Sequence, residues 1–422
     1  MRDRATIDQL QLTKLRNLIV ELQQTNPFYS ERMRDARLPA QLMSTKKFVD
    51  TMPFTTKAEI IADCLESPPY GTNLTAPIEK YSRFCQSSGT SDGPLPTLDT
   101  TASWNGMLDI WELVFDAAEV ETSETVFFAF SFGPFLGFWT AFEAATRRGN
   151  IAIPGGGMSS VARLQMMARY GAGALCCTPT YAIRLGEVLA EQGADLRDKI
   201  KVKRIIVAGE HGGSIPSTRA RIESLWPGAQ VRDHHGMTEV GPVSFEPADR
   251  PFCLQVAEDA FYAEIIDAEG NEVAEGGEGE LVLTTLNRNA RPLLRYRTGD
   301  LVRKGFHKNE LIFDGGMLGR IDDMVVIRGV NVYPAAVERI IRENPSVAEF
   351  QVVQTKQNAM AQLEVRIELE PESVGDANEV SEQIHVALES AFSLRIPVNV
   401  AETGSLPRFE FKSKRWVKPQ ES

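Results

Sequence analysis

Six short segments of this 422-residue chain concentrate the residue types that handle phosphate, sugar hydroxyls and metal ions. Gln86-Ser87-Ser88-Gly89-Thr90-Ser91-Asp92-Gly93-Pro94 clusters hydroxyls and glycines, so its backbone N–H and side-chain O–H groups could wrap phosphate oxygens. Taken alone it also fits an ordinary Ser/Gly-rich surface loop, and it lacks the GK[ST] ending of a Walker P-loop. Ala208-Gly209-Glu210-His211-Gly212-Gly213-Ser214 follows the apolar run KRIIV. Open α/β sheets bind ligands at the carboxyl ends of their parallel strands, and glycines there let a planar ring lie against the backbone. Asp233-His234-His235-Gly236-Met237-Thr238-Glu239 sets a carboxylate among hydroxyls, a donor set that suits Mg²⁺. The paired histidines have no third or fourth partner at metal spacing, so no zinc is expected. In Arg295-Tyr296-Arg297-Thr298-Gly299-Asp300-Leu301 the acid follows a glycine at a strand end, where it could accept two hydrogen bonds from a ribose diol. Gly319-Arg320-Ile321-Asp322-Asp323 with the stretch 328–334, and the basic stretch 407–415, complete the set; a basic terminal segment also reads as a solvated tail.

The elements that must position these segments can be read from periodicity. Ile7, Leu10, Leu15, Leu18 and Leu22 fall near one face of an opening helix. NPFYSERM and PFTTKAEI each read as a turn followed by a helix start, with Thr55 or Thr56 as N-cap in the second. From about Val126 to Val207 the strand-like runs TVFFAF, GNIAIPG, GALCCTPT and KRIIVAGE alternate with helical patterns, which implies a parallel sheet covered on both faces. After about residue 255, apolar–polar alternation with glycine turns points to antiparallel strands, and roughly the last hundred residues read as a small α/β unit. The expected fold is therefore α/β: a large N-terminal domain with mainly parallel sheets and an antiparallel β subdomain, then a small mobile C-terminal α+β domain. The expected limits are 1–317 (helical start 1–80, parallel α/β 81–250, β-rich 255–317), a hinge at 318–322 and a mobile domain at 323–422.

Composition excludes several classes of function. Hydrophobic residues make up 43% and charged residues 24%, the profile of a soluble globular protein. A net charge of -12 argues against a nucleic-acid partner, which needs a basic surface. No apolar run reaches a membrane span, Phe127–Trp139 being too short and interrupted, and the N-terminus has no signal core; a cytoplasmic protein is expected. Cys64, Cys85, Cys176, Cys177 and Cys253 form neither a disulfide framework nor a zinc pattern, and Cys176-Cys177 reads as a buried strand end.

In order, SSGTS, AGE, HHGMTE, YRTGDL, GRIDDMVVIRGVNVYP and PRFEFKSKR resemble the adenylate-forming superfamily of acyl-CoA synthetases, luciferases and adenylation domains. NPFYSERM, PFTTKAEI, CTPTYA and IRGVNVYPAAVE narrow the resemblance to the phenylacetate–CoA ligase branch, over about residues 10–418. The resemblance implies that ATP and Mg²⁺ activate a carboxylic acid, with coenzyme A as acceptor. Ser87, Ser88, Gly89, Thr90 and Ser91 would hold the β- and γ-phosphates, and Glu239 with Thr90 or Thr238 the Mg²⁺. Gly209 and Glu210 would lie against adenine, Asp300 would take the ribose and Arg320 the ribose or phosphate; Asp233, His234, Gly236 and Met237 would belong to the same nucleotide site. Lys412, selected over Lys414 by the register PRxExK, would bridge the attacking carboxylate and the α-phosphate. Asp322 would be the hinge, and Arg328, Gly329, Val330 and Asn331 would line the thiol entry after rotation. Phe130, Phe132, Gly133, Phe138, Ala208 and His235 would form the acid pocket. With Phe135 these aromatics suggest an aryl or arylacetic acid, although half of them would serve equally as core. The family also allows a homodimer.

The chain departs from the pattern in three places. Asp92 and Gly93 stand at the customary glycine and lysine of the phosphate loop, and a carboxylate beside triphosphate is unfavourable unless screened. Phe411 replaces a small residue before Lys412, and the segment RKGFHKNELIF keeps His307 but none of the cysteines of the zinc knuckle seen in many relatives. These changes suggest a specialised relative, in secondary metabolism. They leave two alternatives open: an adenylating enzyme that transfers to a carrier protein, amine or hydroxyl, and a catalytically weak binding homologue.

Overall fold

The computed structural model describes residues 3–39, 41–87, 93–328, 330–357, 360–370, 377–409 and 413–417. The chain opens with helices α1 (Arg4–Thr25), α2 (Pro27–Asp35), α3 (Thr45–Thr51) and α4 (Lys57–Glu66). Asn26 caps α2, whose first residue is Pro27, and Thr56 with Glu59 forms a complete capping box on α4. Of the expected apolar stripe on α1, Ile7, Leu15, Leu18 and Leu22 are buried, whereas Leu10 is only partly covered.

A hairpin of β1 (Tyr81–Gln86) and β2 (Pro96–Thr100) leads through α5 (Thr101–Ala117) into the main sheet. There the order is β3 (Thr125–Phe128), α6 (Trp139–Arg148), β4 (Ile151–Pro154), α7 (Ser160–Tyr170), β5 (Ala172–Cys177), α8 (Pro179–Glu191), α9 (Ala194–Arg197), β6 (Arg204–Val207), α10 (Pro216–Leu225) and β7 (Gln230–Met237). Strands β3 to β7 pair in parallel. β5 is buried along its whole length, as a strand covered on both faces must be. Its side chains alternate between two cores. Ala174 and Cys176 face the α5–α6 layer, while Leu175 and Cys177 face the α7–α8–α10 layer.

The antiparallel strands are β8 (Gly241–Phe245), β9 (Cys253–Val256), β10 (Phe261–Ile266), β11 (Glu278–Thr285), β12 (Tyr296–His307) and β13 (Glu310–Arg320). They do not form a separate sheet. β7 pairs in parallel with β6 and antiparallel with β8, so one eleven-stranded mixed sheet runs β10-β11-β12-β13-β9-β8-β7-β6-β5-β3-β4. The chain leaves this sheet only after Arg320, at the turn containing Asp322.

Beyond it come the hairpin β14 (Val325–Ile327) and β15 (Val330–Val332), α11 (Pro334–Arg342), β16 (Val347–Gln357), β17 (Met360–Leu369), α12 (Ala377–Phe392), β18 (Val398–Val400) and β19 (Trp416–Val417). β18, β17, β16 and β19 form a four-stranded sheet with its own core of Val337, Ile341, Phe350, Val352, Ile367, Ile384 and Leu388. No helix among the described residues is long and apolar enough to cross a membrane. All five cysteines are unpaired thiols, and Cys176 and Cys177 are fully buried.

Candidate functional site

The hydroxyl-rich loop is the connection of the β1–β2 hairpin. Ser87 closes its base, since its N–H donates to the Leu95 carbonyl (3.0 Å) and its Oγ accepts from the Leu95 N–H (3.0 Å). Ser88, Gly89, Thr90, Ser91 and Asp92 lie outside the described residues. The Thr238–Glu239 turn is held from behind by Arg288, a residue in no recognisable motif. Its Nη1 donates to the Thr238 and Glu239 carbonyls (2.9 and 2.8 Å), and its Nη2 meets the buried Asp99 carboxylate at 2.5 Å. Asp99 belongs to β2, so this pair ties the turn to the hairpin that carries the phosphate-loop candidate. The Glu239 carboxylate points toward α4, where Lys57 Nζ lies 3.1 Å from Oε1. A single carboxylate with hydroxyls nearby fits Mg²⁺, which keeps much of its shell as water and phosphate oxygens. Occupation by the ion would require Glu239 to share or release Lys57.

Asp300 sits on β12 with both oxygens engaged. Arg320 Nη1 donates to Oδ1 (3.0 Å), and His235 Nε2 lies 3.3 Å from Oδ2. Burial alone would raise this carboxyl. The hydrogen bond with His235 and the charges of His235 and Arg320 outweigh that, and the group lies below its ordinary value. Arg320 also binds Asp322 Oδ2 (2.8 Å), which couples the ribose candidate to the expected hinge residue. This crossing depends on Gly299, whose φ is +74° and where an added Cβ would lie 3.0 Å from Asp322 Oδ2 and 3.1 Å from Arg320 Nη2.

The two adjacent histidines divide between opposite faces because successive strand residues point to opposite sides. His235 faces Asp300, whereas His234 lies 4.3 Å from the Trp111 ring, and Trp111 in turn packs 5.9 Å from Phe138. The resemblance puts His234 with the nucleotide and His235 with the acid; in the fold it is His235 that meets the ribose candidate Asp300. Burial is the main reason that His234 is pushed down to about 3, so it is neutral at physiological pH. Asp233 is buried and pushed up to about 6, chiefly by desolvation, and accepts from Ser214 Oγ (2.6 Å) and the His234 N–H (2.9 Å). It fastens the 208–214 loop to β7 from below. Gly213 must be glycine for this, since a Cβ would meet the Asp233 carboxyl carbon at 2.3 Å.

Phe130, Phe132, Phe138 and Ala208 fall in one cluster at the ends of β3 and β6. Ring centroids are 4.4 Å apart for Phe130–Phe132 and 4.9 Å for Phe130–Phe138, and Gly133 accepts from the Trp139 indole (3.0 Å). Phe138 is core, at 6% exposure, and Phe135 points outward at 43%. Phe130 and Phe132 are the rings with partly open surface. Gly236 and Met237 end β7, and Met237 packs against the separate core of the antiparallel strands. Arg328, with φ +51°, heads the β14–β15 turn, and Val330 and Asn331 follow it. Lys412 and Gly329 lie outside the described residues, and Lys414 is exposed. Both Glu210 carboxylate oxygens are engaged. One accepts from the Thr180 N–H and the other from the Ser413 N–H, both at 2.8 Å. Sequence reasoning had no signal for Lys57, Arg288, Trp111 or Thr180, which act through contacts distant along the chain.

Residues 329–419 match the AMP-binding enzyme C-terminal domain family. A phenylacetate–coenzyme A ligase of Pseudomonas putida is 28% identical over 97% of this chain and 94% of its own length. Among solved structures, 2-hydroxyisobutyryl-CoA ligase in the postadenylation state with 2-HIB-AMP gives a TM-score of 0.91 at 24% identity, covering 100% of this chain and 91% of that one. The same ligase with 2-HIB-AMP and CoA in the thioesterification state gives 0.73 at 25% identity, covering 98% and 90%. The chain therefore superposes more closely on the first state than on the second. Residues 329–419 thus carry the AMP-binding enzyme C-terminal domain, and nearly the whole chain is similar to phenylacetate–CoA ligases, with its six motifs in the order that the resemblance implies.

Proposed function

We propose that this protein is an AMP-forming acid–CoA ligase whose acid is an aryl or arylacetic acid. The observation that carries the reading is the Asp300–His235–Arg320–Asp322 cluster on the main sheet, an ionised carboxylate fixed beside the turn into the C-terminal unit. ATP would bind across the carboxyl ends of the parallel strands, with Asp300 accepting from the ribose hydroxyls and the β1–β2 loop around the phosphates. Mg²⁺ held at Glu239 would neutralise phosphate charge.

The acid's carboxylate oxygen attacks the α-phosphorus and pyrophosphate leaves. Both reactants are anions, so a preorganised cation is required, and Lys412 is assigned that place. Removing one such group typically lowers the rate about 10²- to 10³-fold. The thiol of coenzyme A then attacks the acyl carbon and AMP leaves. A rotation at Asp322 that withdraws Lys412 and brings Arg328, Gly329, Val330 and Asn331 to the site would separate the two steps. The open ring surface of Phe130 and Phe132 supports a flat acid.

The test is pyrophosphate release from Mg-ATP over a panel of aryl acids, with and without coenzyme A, for wild type and Lys412→Ala. Acid-dependent release that collapses in the variant and is stimulated by coenzyme A is the expected result. No release above background with any acid would refute the reading and turn attention to Asp92 and Gly93.

A further inference from the structure

The Glu210 carboxylate is shared between the two folded units. Its Oε1 accepts from the Thr180 N–H in the first turn of α8, and its Oε2 accepts from the Ser413 N–H in the C-terminal segment, both at 2.8 Å. Oxygens taken by two N–H groups give the Glu210 side chain a use apart from adenine, against which the resemblance lays Gly209 and Glu210. Ser413 directly follows Lys412 in sequence, and neighbouring Cα atoms are fixed about 3.8 Å apart. The held Ser413 amide is thus the described group next along the chain to Lys412.

Two further contacts cross the same face. Arg415 Nη1 donates to Thr180 Oγ1 (3.3 Å) in the large unit and to Glu338 Oε1 (3.2 Å) in its own, while its Nε binds the buried Glu349 (2.6 Å). Arg221 on α10 pairs with Glu370, just beyond β17, at 2.6 Å. α8 thus offers its N-terminal turn to the lysine-bearing segment, with Glu210 as the negative charge that the helix end favours.

The geometry points to Glu210 as the positioning residue that docks the Lys412 segment for the adenylation step alone. This rests on the two-step reading given above. A carboxylate that bonds both units cannot keep both bonds once the C-terminal unit turns, so it supports the first half-reaction and is released for the second. Arg415 and Thr180 form the second clasp of the same latch.

The test compares wild type, Glu210→Gln and Thr180→Val in separate half-reactions. Glutamine keeps one acceptor oxygen for the α8 turn but presents an amide N–H₂ to the second donor. Valine removes only the hydroxyl that Arg415 uses. Adenylation is read as phenylacetate-dependent ATP–pyrophosphate exchange, and thioester formation as the reaction of supplied phenylacetyl-adenylate with coenzyme A. Losing one hydrogen bond to a charged group corresponds to about 10- to 100-fold. Exchange kcat should fall by that factor in Glu210→Gln and by a smaller factor in Thr180→Val. The KM for ATP and the thioester step should stay within about twofold in both variants. Equal loss in both half-reactions would overturn the proposal in favour of a structural role, a change confined to the KM for ATP would favour an adenine contact, and no change would refute it outright. Deuterium uptake by the peptide containing Ser413 decides the matter independently of chemistry: it should rise in Glu210→Gln, and unchanged uptake sinks the latch. If wild type shows no exchange with phenylacetate, the reading of the substrate has failed, and the uptake measurement still judges the latch.

Discussion

His234 offers the sharpest quantitative check on how the site is built. Its ring is buried against Trp111, its Nδ1 has no hydrogen-bond partner, and burial holds it near 3 against an ordinary 6.5. The unfolded chain takes up a proton below pH 6.5 and the folded chain does not. Folding stability from this residue is therefore fully present above pH 6.5 and is lost as the pH falls toward 3. The slope for one such group is about 1.4 kcal/mol per pH unit. Replacing the ring by an uncharged amide, His234→Gln, removes the term. The variant should be less stable than wild type at pH 7.5 through lost packing, and should recover relative to wild type by about 2 kcal/mol between pH 6.5 and 4.5. Guanidinium unfolding followed by tryptophan fluorescence, at half-unit pH steps, measures this difference, and other titrating groups cancel between the two proteins. A difference that stays flat over that range would show that the imidazole accepts a proton inside the fold, and the account of a dry, aromatic face on this side of β7 would be wrong.

Three other outcomes follow from neighbouring groups. Asp233, pushed up to about 6 from 3.8, has the opposite sign: its contribution is present below pH 3.8 and lost as the pH rises to 6. Asp233→Asn should therefore gain on wild type by about 2 kcal/mol across that window in the same unfolding assay. Arg320→Gln withdraws one of the charges that offset the burial of Asp300, so the acidic limb of the pH profile for pyrophosphate release should move to higher pH; an unmoved limb would remove Asp300 from the reacting complex. Lys57→Met leaves the largely buried Glu239 without its cation and should cost about 1–3 kcal/mol in chemical denaturation, whereas Lys46→Met, at the exposed pair with Asp50, should cost under about 0.5.

Much of this protein is legible along the chain because the signals are local. The runs TVFFAF, GALCC and KRIIV announce β3, β5 and β6 through their short, largely apolar character, and Thr56 with Glu59 announces the start of α4. Six ordered motifs identify the superfamily, since phosphate loops and strand-end acids are short stretches with fixed spacing. What the sequence by itself determined is thus the kind of chemistry and the order of its parts.

Other features were decided only by the tertiary structure. The antiparallel strands continue the parallel sheet because β7 has two edges, and no local pattern says which strand will take the second. Which histidine meets Asp300 follows from the phase of β7 as it joins that sheet, and a shift of one residue would exchange them. The pairing of Arg288 with Asp99, 189 residues apart, has no periodic signature because it depends on how β2 and the 238–239 turn are brought together in space. The same is true of Glu210, read along the chain as a strand-end residue beside a planar base and found in the fold between two amides, one from each unit. Periodicity and spacing encode what neighbours in sequence do for each other. Contacts between distant segments depend on sheet twist, register and docking, which exist only once the chain is folded.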